Sequence, residues 1–154
     1  MTFRSLIAAV AGFATGCLRP PITAPAPFSF QASKAPNQAT QIAAVALVNA
    51  GFRVAQSDAR GNSLIANRTA THNGNEDYIR CKYPKESDAA ANRETTLFIT
   101  FAAKPTTNGS DVTIGSTVHT SYPGYQGTAM EIVPNDSDCV STGVMEQQLE
   151  AALK

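Results

Sequence analysis

Apolar and polar residues alternate along several short stretches of the chain, a period of two that is typical of half-buried β-strands. The sequence "YIRCKYP" at 78–84 shows it most clearly, because Ile79 and Cys81 fall on one side and Arg80 and Lys82 on the other. The same pattern predicts further strands at residues 52–58, 63–70, 95–104 and 112–122.

Turn residues predict how these strands are connected. The Gly-containing "ARGN" joins the first two predicted strands as a hairpin, and Asn108-Gly109 does the same for the last two. The stretch "TTLFITFAAK" is the most apolar of all, so we expect it to be the central strand. In the strand that follows, Val112, Ile114, Ser116 and Val118 are expected to share one face.

Residues 37–50 have helical spacing, with Asn37 as the predicted N-cap and Gly51 as the left-handed residue that ends the helix. Its predicted apolar face consists of Ile42, Val45, Ala46, Leu47 and Val48, next to Asn49.

A second helix is predicted in the C-terminal stretch "CVSTGVMEQQLEAALK", capped by Asp138 or Ser141 and weakened by Gly143. Its predicted apolar face consists of Met145, Leu149, Ala152 and Leu153. The order of elements predicts an α+β fold of two layers. Four strands would form one antiparallel sheet, and the N-terminal and C-terminal helices would pack on one face of it.

The first 16 residues have the three parts of a secretory signal: Arg4 in a short polar region, an apolar segment from Leu6 to Ala14, and then small residues. The apolar segment holds about ten residues, half of the roughly 20 that a membrane-spanning helix needs. A buried core helix is the alternative, but the proline-rich stretch that follows favours export.

The residues Ala14-Thr15-Gly16-Cys17 resemble the lipobox of bacterial lipoproteins. In that class the cysteine becomes the first residue of the mature protein and carries the lipid, so the resemblance implies a palmitate-type modification at Cys17. The usual Leu at −3 is replaced by Ala14, which leaves open an ordinary cut after Ala14 or Gly16 and free secretion. An aspartate at +2 often retains lipoproteins in the inner membrane. Leu18 stands there instead, so we expect the outer membrane, facing the periplasm.

The stretch "LRPPITAPAPFSFQASKAPNQ" after Cys17 is rich in proline, which fixes φ and removes a backbone donor. It predicts an extended tether, and residues 17–36 are assigned to the lipidated cysteine and this tether, followed by a single domain at 37–154. Phe28 and Phe30 interrupt the tether, and they are expected either to dock on the domain as a short edge strand or to contact a partner.

Three cysteines are present, and lipidation of Cys17 would leave an even pair. In an oxidising compartment such a pair is expected to be bridged, which predicts a disulfide between Cys81 and Cys139. Two buried free thiols are the alternative. A redox-active pair is not expected, because the chain has no C-x-x-C spacing.

Charge and motifs argue against several functions. Lys and Arg number 12 and Asp and Glu also number 12, so no net charge attracts nucleic acid. Two histidines without ligand spacing predict no metal site, and no nucleophile motif, phosphate loop or cofactor motif is present. The carboxylate pair Asp136 and Asp138 in "NDSD" fails the calcium-loop pattern, because Ser141 and Gln147 occupy the positions of its glycine and glutamate.

Two functions remain in view. The first is a non-catalytic, lipid-anchored binding module of the cell envelope, such as an accessory subunit of an envelope assembly, with its partner surface at Arg53, Arg80 and Lys82. The alternative is a small secreted or envelope hydrolase or ligand-binding protein built on the loops at 71–77 and 121–127. Its candidate residues would be His72, His119, Tyr122 and Tyr125.

Overall fold

The computed structural model describes residues 25–58, 62–71, 75, 77–81, 94–121 and 139–154. These residues form two helices and seven strands, numbered here in chain order. Their bounds are β1 Phe28–Ala32, α1 Pro36–Asn49, β2 Arg53–Ser57, β3 Ser63–Thr71, β4 Ile79–Cys81, β5 Glu94–Thr106, β6 Gly109–Ser121, β7 Cys139–Ser141 and α2 Val144–Leu153.

Five strands form a large antiparallel sheet in the order β1-β6-β5-β3-β2, so the prediction that 95–104 is central is confirmed. The hairpin of β5 and β6 turns through Thr107 and Asn108 and is closed by the pair Thr106 and Gly109. Gly109 has φ 145°, and a Cβ there would lie 2.1 Å from the carbonyl oxygen of Ala32. The glycine is therefore needed both for its backbone conformation and because β1 ends directly beside it.

The sheet differs from the predicted four-stranded one in two respects. Four of the five predicted strands do form the large sheet, but β1 adds a fifth at its edge, so Phe28 and Phe30 dock as an edge strand. The stretch at 79–81 leaves that sheet and pairs with β7 in a separate two-stranded sheet. Alternation shows which side of a strand is buried, and in β4 Ile79 is indeed buried while Arg80 is exposed. It does not show which strand is the neighbour.

The core lies between the large sheet and the two helices. Inward residues of the central strands, among them Leu97, Ile99 and Phe101 of β5, are almost completely buried. Val112, Ile114 and Val118 of β6 face the same core, and Ser116 shares their side at intermediate exposure, as predicted. Helix α1 packs across β2, β3, β5 and β6, and α2 packs against α1 and β1.

Helix α1 matches its predicted extent within one residue, but its N-cap and its buried face differ. Ala35 is the N-cap, with Pro36 in the first helical turn and no side-chain cap, so Asn37 lies inside the helix. The face against the sheet is Ala39, Ala43 and Leu47 with Thr40, whereas Val45 and Val48 are 60% and 56% exposed. Small alanines allow the helix to approach the sheet closely, and this outweighs the greater hydrophobicity of valine. Gly51 has φ 82°, as predicted for the residue that ends the helix.

Helix α2 begins later than predicted, because Cys139–Ser141 is a strand and Gly143 is the N-cap with φ 83°. The predicted N-cap at Ser141 is therefore wrong, and the helix has no side-chain cap, but Oγ of Ser141 accepts the N–H of Gly143 at 3.1 Å and donates to Oε1 of Glu146 at 2.9 Å. Ala152, placed on the apolar face by the sequence, is exposed. The inward face holds Met145, Leu149 and Leu153 with the buried Glu146.

A disulfide joins Cys81 of β4 to Cys139 of β7, residues that stand directly opposite each other in the small sheet. The predicted pairing is therefore confirmed. The bond closes 58 residues of chain and fixes β7, the strand that leads into α2, to β4. Neither helix in the described part of the chain is long and apolar enough to cross a membrane.

Candidate functional site

The side of the large sheet opposite α1 and α2, here called the helix-free face, carries every second side chain of its strands. On β5 these run from Glu94 to Lys104, and on β6 from Asp111 to His119. Most are polar and exposed, and threonine is common among them. Since the helices cover only the other side, this face is the broad surface that the described fold leaves for binding.

A trough of about 710 Å³ crosses the strands on the helix-free face. Its floor comes from two rows of cross-strand neighbours: one is Thr113, Ala102 and Ser63, and the other is Gly115, Thr100 and Ile65 with Gln56. Pro27 closes the trough at β1, and Asp58 closes it at the end of β2. The volume lies within the range of small-molecule and peptide pockets.

The trough exists because small residues lie between two rows of larger ones. On one side Gln31, Asp111 and Lys104 are cross-strand neighbours, and on the other Phe98 lies between Thr117 and Asn67. At the deepest register Gly115 has no side chain, and a Cβ there would lie 2.6 Å from Oγ1 of Thr100. That hydroxyl donates to the carbonyl oxygen of Gly115 at 3.3 Å, so it lies over the glycine.

Side-chain contacts also link residues of the helix-free face at Phe98 and beyond it, on the side away from the trough. The ring of Phe98 packs edge-on against His119, with their centroids 5.0 Å apart. Thr96 is the cross-strand neighbour of His119, and its hydroxyl shares a hydrogen bond of 2.9 Å with the hydroxyl of Thr69. These contacts restrict side chains next to the trough, and such restriction lowers the entropy that is lost on binding.

The structure separates two of the three predicted partner-surface residues and does not describe the third. Arg53 is exposed on the helix-free face, directly opposite Asn67 and in the row of Phe98. Arg80 is exposed on β4 of the small sheet, and Lys82 lies outside the described residues. Arg53 is thus the predicted residue that stands beside the trough.

Of the residues of the alternative enzyme hypothesis, His119 is exposed on the helix-free face, against Phe98. His72, Tyr122 and Tyr125 lie outside the described residues. Within the described chain no three His, Cys, Asp or Glu side chains come together as a metal site. From the first of the two loops, Asn75 is 3% exposed, and its amide Nδ2 donates to the backbone of Arg68 and Thr95. Asn75 therefore holds the loop in place rather than facing a ligand.

The trough is not visible in the sequence. Ser63, Ala102 and Gly115 are unremarkable where they stand, and only the strand register brings them into adjacent rows. A signal was available: each falls on the outward side of an alternating strand, where a longer polar residue is usual. Small outward residues on three consecutive neighbouring strands are what a trough requires.

No protein-family model matches this sequence, and no curated protein has a significantly similar one. The function therefore has to be argued from the surface itself, because a fold class alone does not determine an activity.

Proposed function

We propose that this chain is a lipid-anchored protein of the bacterial cell envelope, which binds a partner on its helix-free face and catalyses no reaction. The observation that carries the proposal is the trough of about 710 Å³ on that face, with an uncharged floor in which Ser63, Ala102 and Gly115 are small, and with Arg53 beside it. An accessory subunit of an envelope assembly needs such a surface and no catalytic group.

The location is supported by two independent features. The N-terminal residues have the order of an exported protein and end in the lipobox-like Ala14-Thr15-Gly16-Cys17. The disulfide between Cys81 and Cys139 is typical of a protein that folds in an oxidising compartment such as the periplasm.

The anchor would be the acylated Cys17, on the periplasmic side of the outer membrane. Because β1 begins at Phe28, the ten residues 18–27 separate the anchor from the sheet. At roughly 3 Å per residue in an extended conformation, they reach about 30 Å. The sheet would thus be held close to the membrane, within reach of other membrane-attached proteins. Secretion after a cut at Ala14 or Gly16 is the alternative.

The binding surface would consist of the trough and Arg53. Its neutral floor of hydroxyls, methyl groups and a glycine suits an uncharged segment of a partner, and Arg53 would contact an acidic group at the edge. Arg80, exposed on β4, would contribute through the small sheet, and a contact from Lys82 stays a prediction.

Photo-crosslinking in intact cells tests the surface. A benzoylphenylalanine at Thr113, on the trough floor, is expected to give a discrete adduct, whereas the same group at the exposed Gln148 of α2 gives none. Ala102→Phe, which fills the trough, and Arg53→Glu, which reverses the charge beside it, should each reduce that adduct.

Equal adducts from Thr113 and Gln148, or an adduct that neither substitution changes, would contradict a specific surface at the trough. Circular dichroism of both variants serves as the control for folding. Ala102 stands between the small residues Ser63 and Thr113, so the large side chain has room on the solvent side.

A further inference from the structure

A small polar cluster lies inside the fold where β3 ends, β5 begins and β6 ends. Its centre is Asn75, whose Nδ2 donates to the carbonyl oxygens of Arg68 and Thr95, at 3.3 and 3.1 Å, and contacts Oγ1 of Thr95 at 3.3 Å. That hydroxyl donates in turn to the carbonyl oxygen of Ala70 at 3.4 Å. The amide of Asn75 thus connects two strands of the large sheet.

Two atoms of this cluster have no hydrogen-bond partner among the described residues: Oδ1 of Asn75 and Oγ1 of Thr120. Asn75 is 3% exposed and Thr120 is 1% exposed. Thr120 is the direct cross-strand partner of Thr95, and both point to the core. Side chains of such a pair stand about 5 Å apart. The two unpartnered atoms therefore flank the same residue, Thr95.

The orientation of the Asn75 amide follows from its surroundings. Turning the amide over would place Oδ1 against the carbonyl oxygens of Arg68 and Thr95, where two acceptors would face each other. Oδ1 must therefore point away from these carbonyls and needs a donor of its own. Thr120, with a hydroxyl that both donates and accepts, is the other group left over.

We propose that a single buried water molecule binds between Asn75 and Thr120. It donates one hydrogen to Oδ1 of Asn75 and forms a second hydrogen bond with Oγ1 of Thr120, which meets the minimum of two partners that buried waters have. The proposal follows from the cost of leaving two polar atoms unpaired inside a protein, which folded proteins rarely accept.

This water site has a structural consequence for the small sheet. The backbone carbonyl of Asn75 accepts the N–H groups of Tyr78 and Ile79, at 2.9 and 2.8 Å, immediately before and at the start of β4. By fixing the amide of Asn75, the water helps to hold the start of the small sheet against the end of the large one.

The substitution Thr120→Val tests for the water, because the direction of its effect on the folding equilibrium constant depends on whether Oγ1 is hydrogen-bonded. Valine has the shape of threonine without the hydroxyl. With a water bound, the substitution removes one of its partners, and the folding equilibrium constant should fall about fivefold. If Oγ1 is unpaired instead, removing it relieves a desolvation cost and the constant should rise. Thr117→Val, on the exposed side of the same strand, is the matched control and should change little.

A crystal structure of the full chain with ordered solvent gives the direct readout. Density for one water within hydrogen-bond distance of Asn75 Oδ1 and Thr120 Oγ1, lost in Thr120→Val, is the expected result. The proposal is overturned if Thr120→Val stabilises the protein or leaves it unchanged, or if a protein group occupies that position.

Discussion

At the scale of single residues, Arg68 joins three elements. It lies on the inward side of β3, where its Nη1 donates to the carbonyl oxygen of Ala50 at 2.9 Å, just past the C-terminus of α1. Its guanidinium also stands over the ring of Tyr78, 5.0 Å from the centroid, and that ring packs edge-on against Phe52. A cation at a helix C-terminus is stabilised by the helix dipole as well.

Arg68→Met keeps most of the side-chain length but removes the hydrogen bond to Ala50 and the cation–π contact with Tyr78. We expect it to lower the free energy of unfolding by about 2 kcal/mol, the range of a hydrogen bond from a charged group. Urea unfolding measures this. Arg68→Lys should lose less, since it keeps the charge without the planar fork. The exposed Arg53→Met is the control, and an equal loss in that variant would contradict a specific role for Arg68.

Alanine substitutions at two glycines with positive φ distinguish the cost of a left-handed backbone conformation from the cost of a steric collision. Gly143→Ala, at φ 83° with no atom within 4 Å of the new Cβ, should cost only the left-handed conformation, about 1 kcal/mol. Gly109→Ala adds a collision with the backbone of Ala32 and should cost at least about 2 kcal/mol. Thermal unfolding compares them. Equal losses would show that β1 moves aside without cost.

Some of the residues with a special structural role could be predicted from the sequence. Gly51 and the Asn108-Gly109 turn were predictable, because each stands where a helix or a hairpin must reverse direction. Arg68 was not predicted, although it continues the inward series of Leu64 and Ala66 on β3, where a charged residue needs an internal partner. That partner, the end of α1, depends on tertiary packing and could not be read from the strand alone.

At the scale of elements, the small sheet depends on its disulfide. A two-stranded sheet is marginally stable by itself. The double variant Cys81→Ala, Cys139→Ala should therefore lose about 2–4 kcal/mol of stability in urea unfolding. Hydrogen exchange should become faster in β4, β7 and the first turn of α2, whereas β5 and β6 keep their protection. Cys17→Ser is the matched control, and an equal effect there would exclude the disulfide as the cause.

The errors in predicting elements share a physical origin. Strand β1 was predicted only as one of two alternatives and was left out of the sheet, because it lies in a proline-rich stretch, where Pro25 and Pro27 lie just before the strand and so cost it no hydrogen bond. Cys139–Ser141 was assigned to α2 because Gly143 was interpreted as a weak helix residue rather than as the cap. In both cases the local sequence pattern and the long-range strand pairing favour different structures, and the strand pairing determines which one forms.

At the scale of the whole molecule, the α+β class, the antiparallel sheet and the disulfide followed from the sequence, because alternation, turn residues and cysteine number are local properties. The trough did not, because it depends on the relative register of β3, β5 and β6. Of the predicted partner surface, Arg53 has a place beside the trough, and the roles of Arg80 and Lys82 stay predictions. A binding surface made by several strands is visible only once those strands are aligned.

The proposed anchor at Cys17 would determine how the whole molecule is presented to a partner. Expressed in a bacterium, the chain should be recovered in the membrane fraction, with a mature N-terminus at Cys17 and the added mass of a diacylglycerol and an acyl chain. Cys17→Ser should shift it to the soluble periplasmic fraction, because the lipid provides the membrane affinity.

Ala14→Leu places the usual lipobox residue at −3, so it should raise the acylated fraction if Ala14 slows processing. Mass spectrometry of the mature protein distinguishes the outcomes. An unacylated chain that begins at Thr15 or Cys17 in both the native sequence and Ala14→Leu would contradict the anchor and identify a secreted protein. The binding surface could then still be tested by crosslinking.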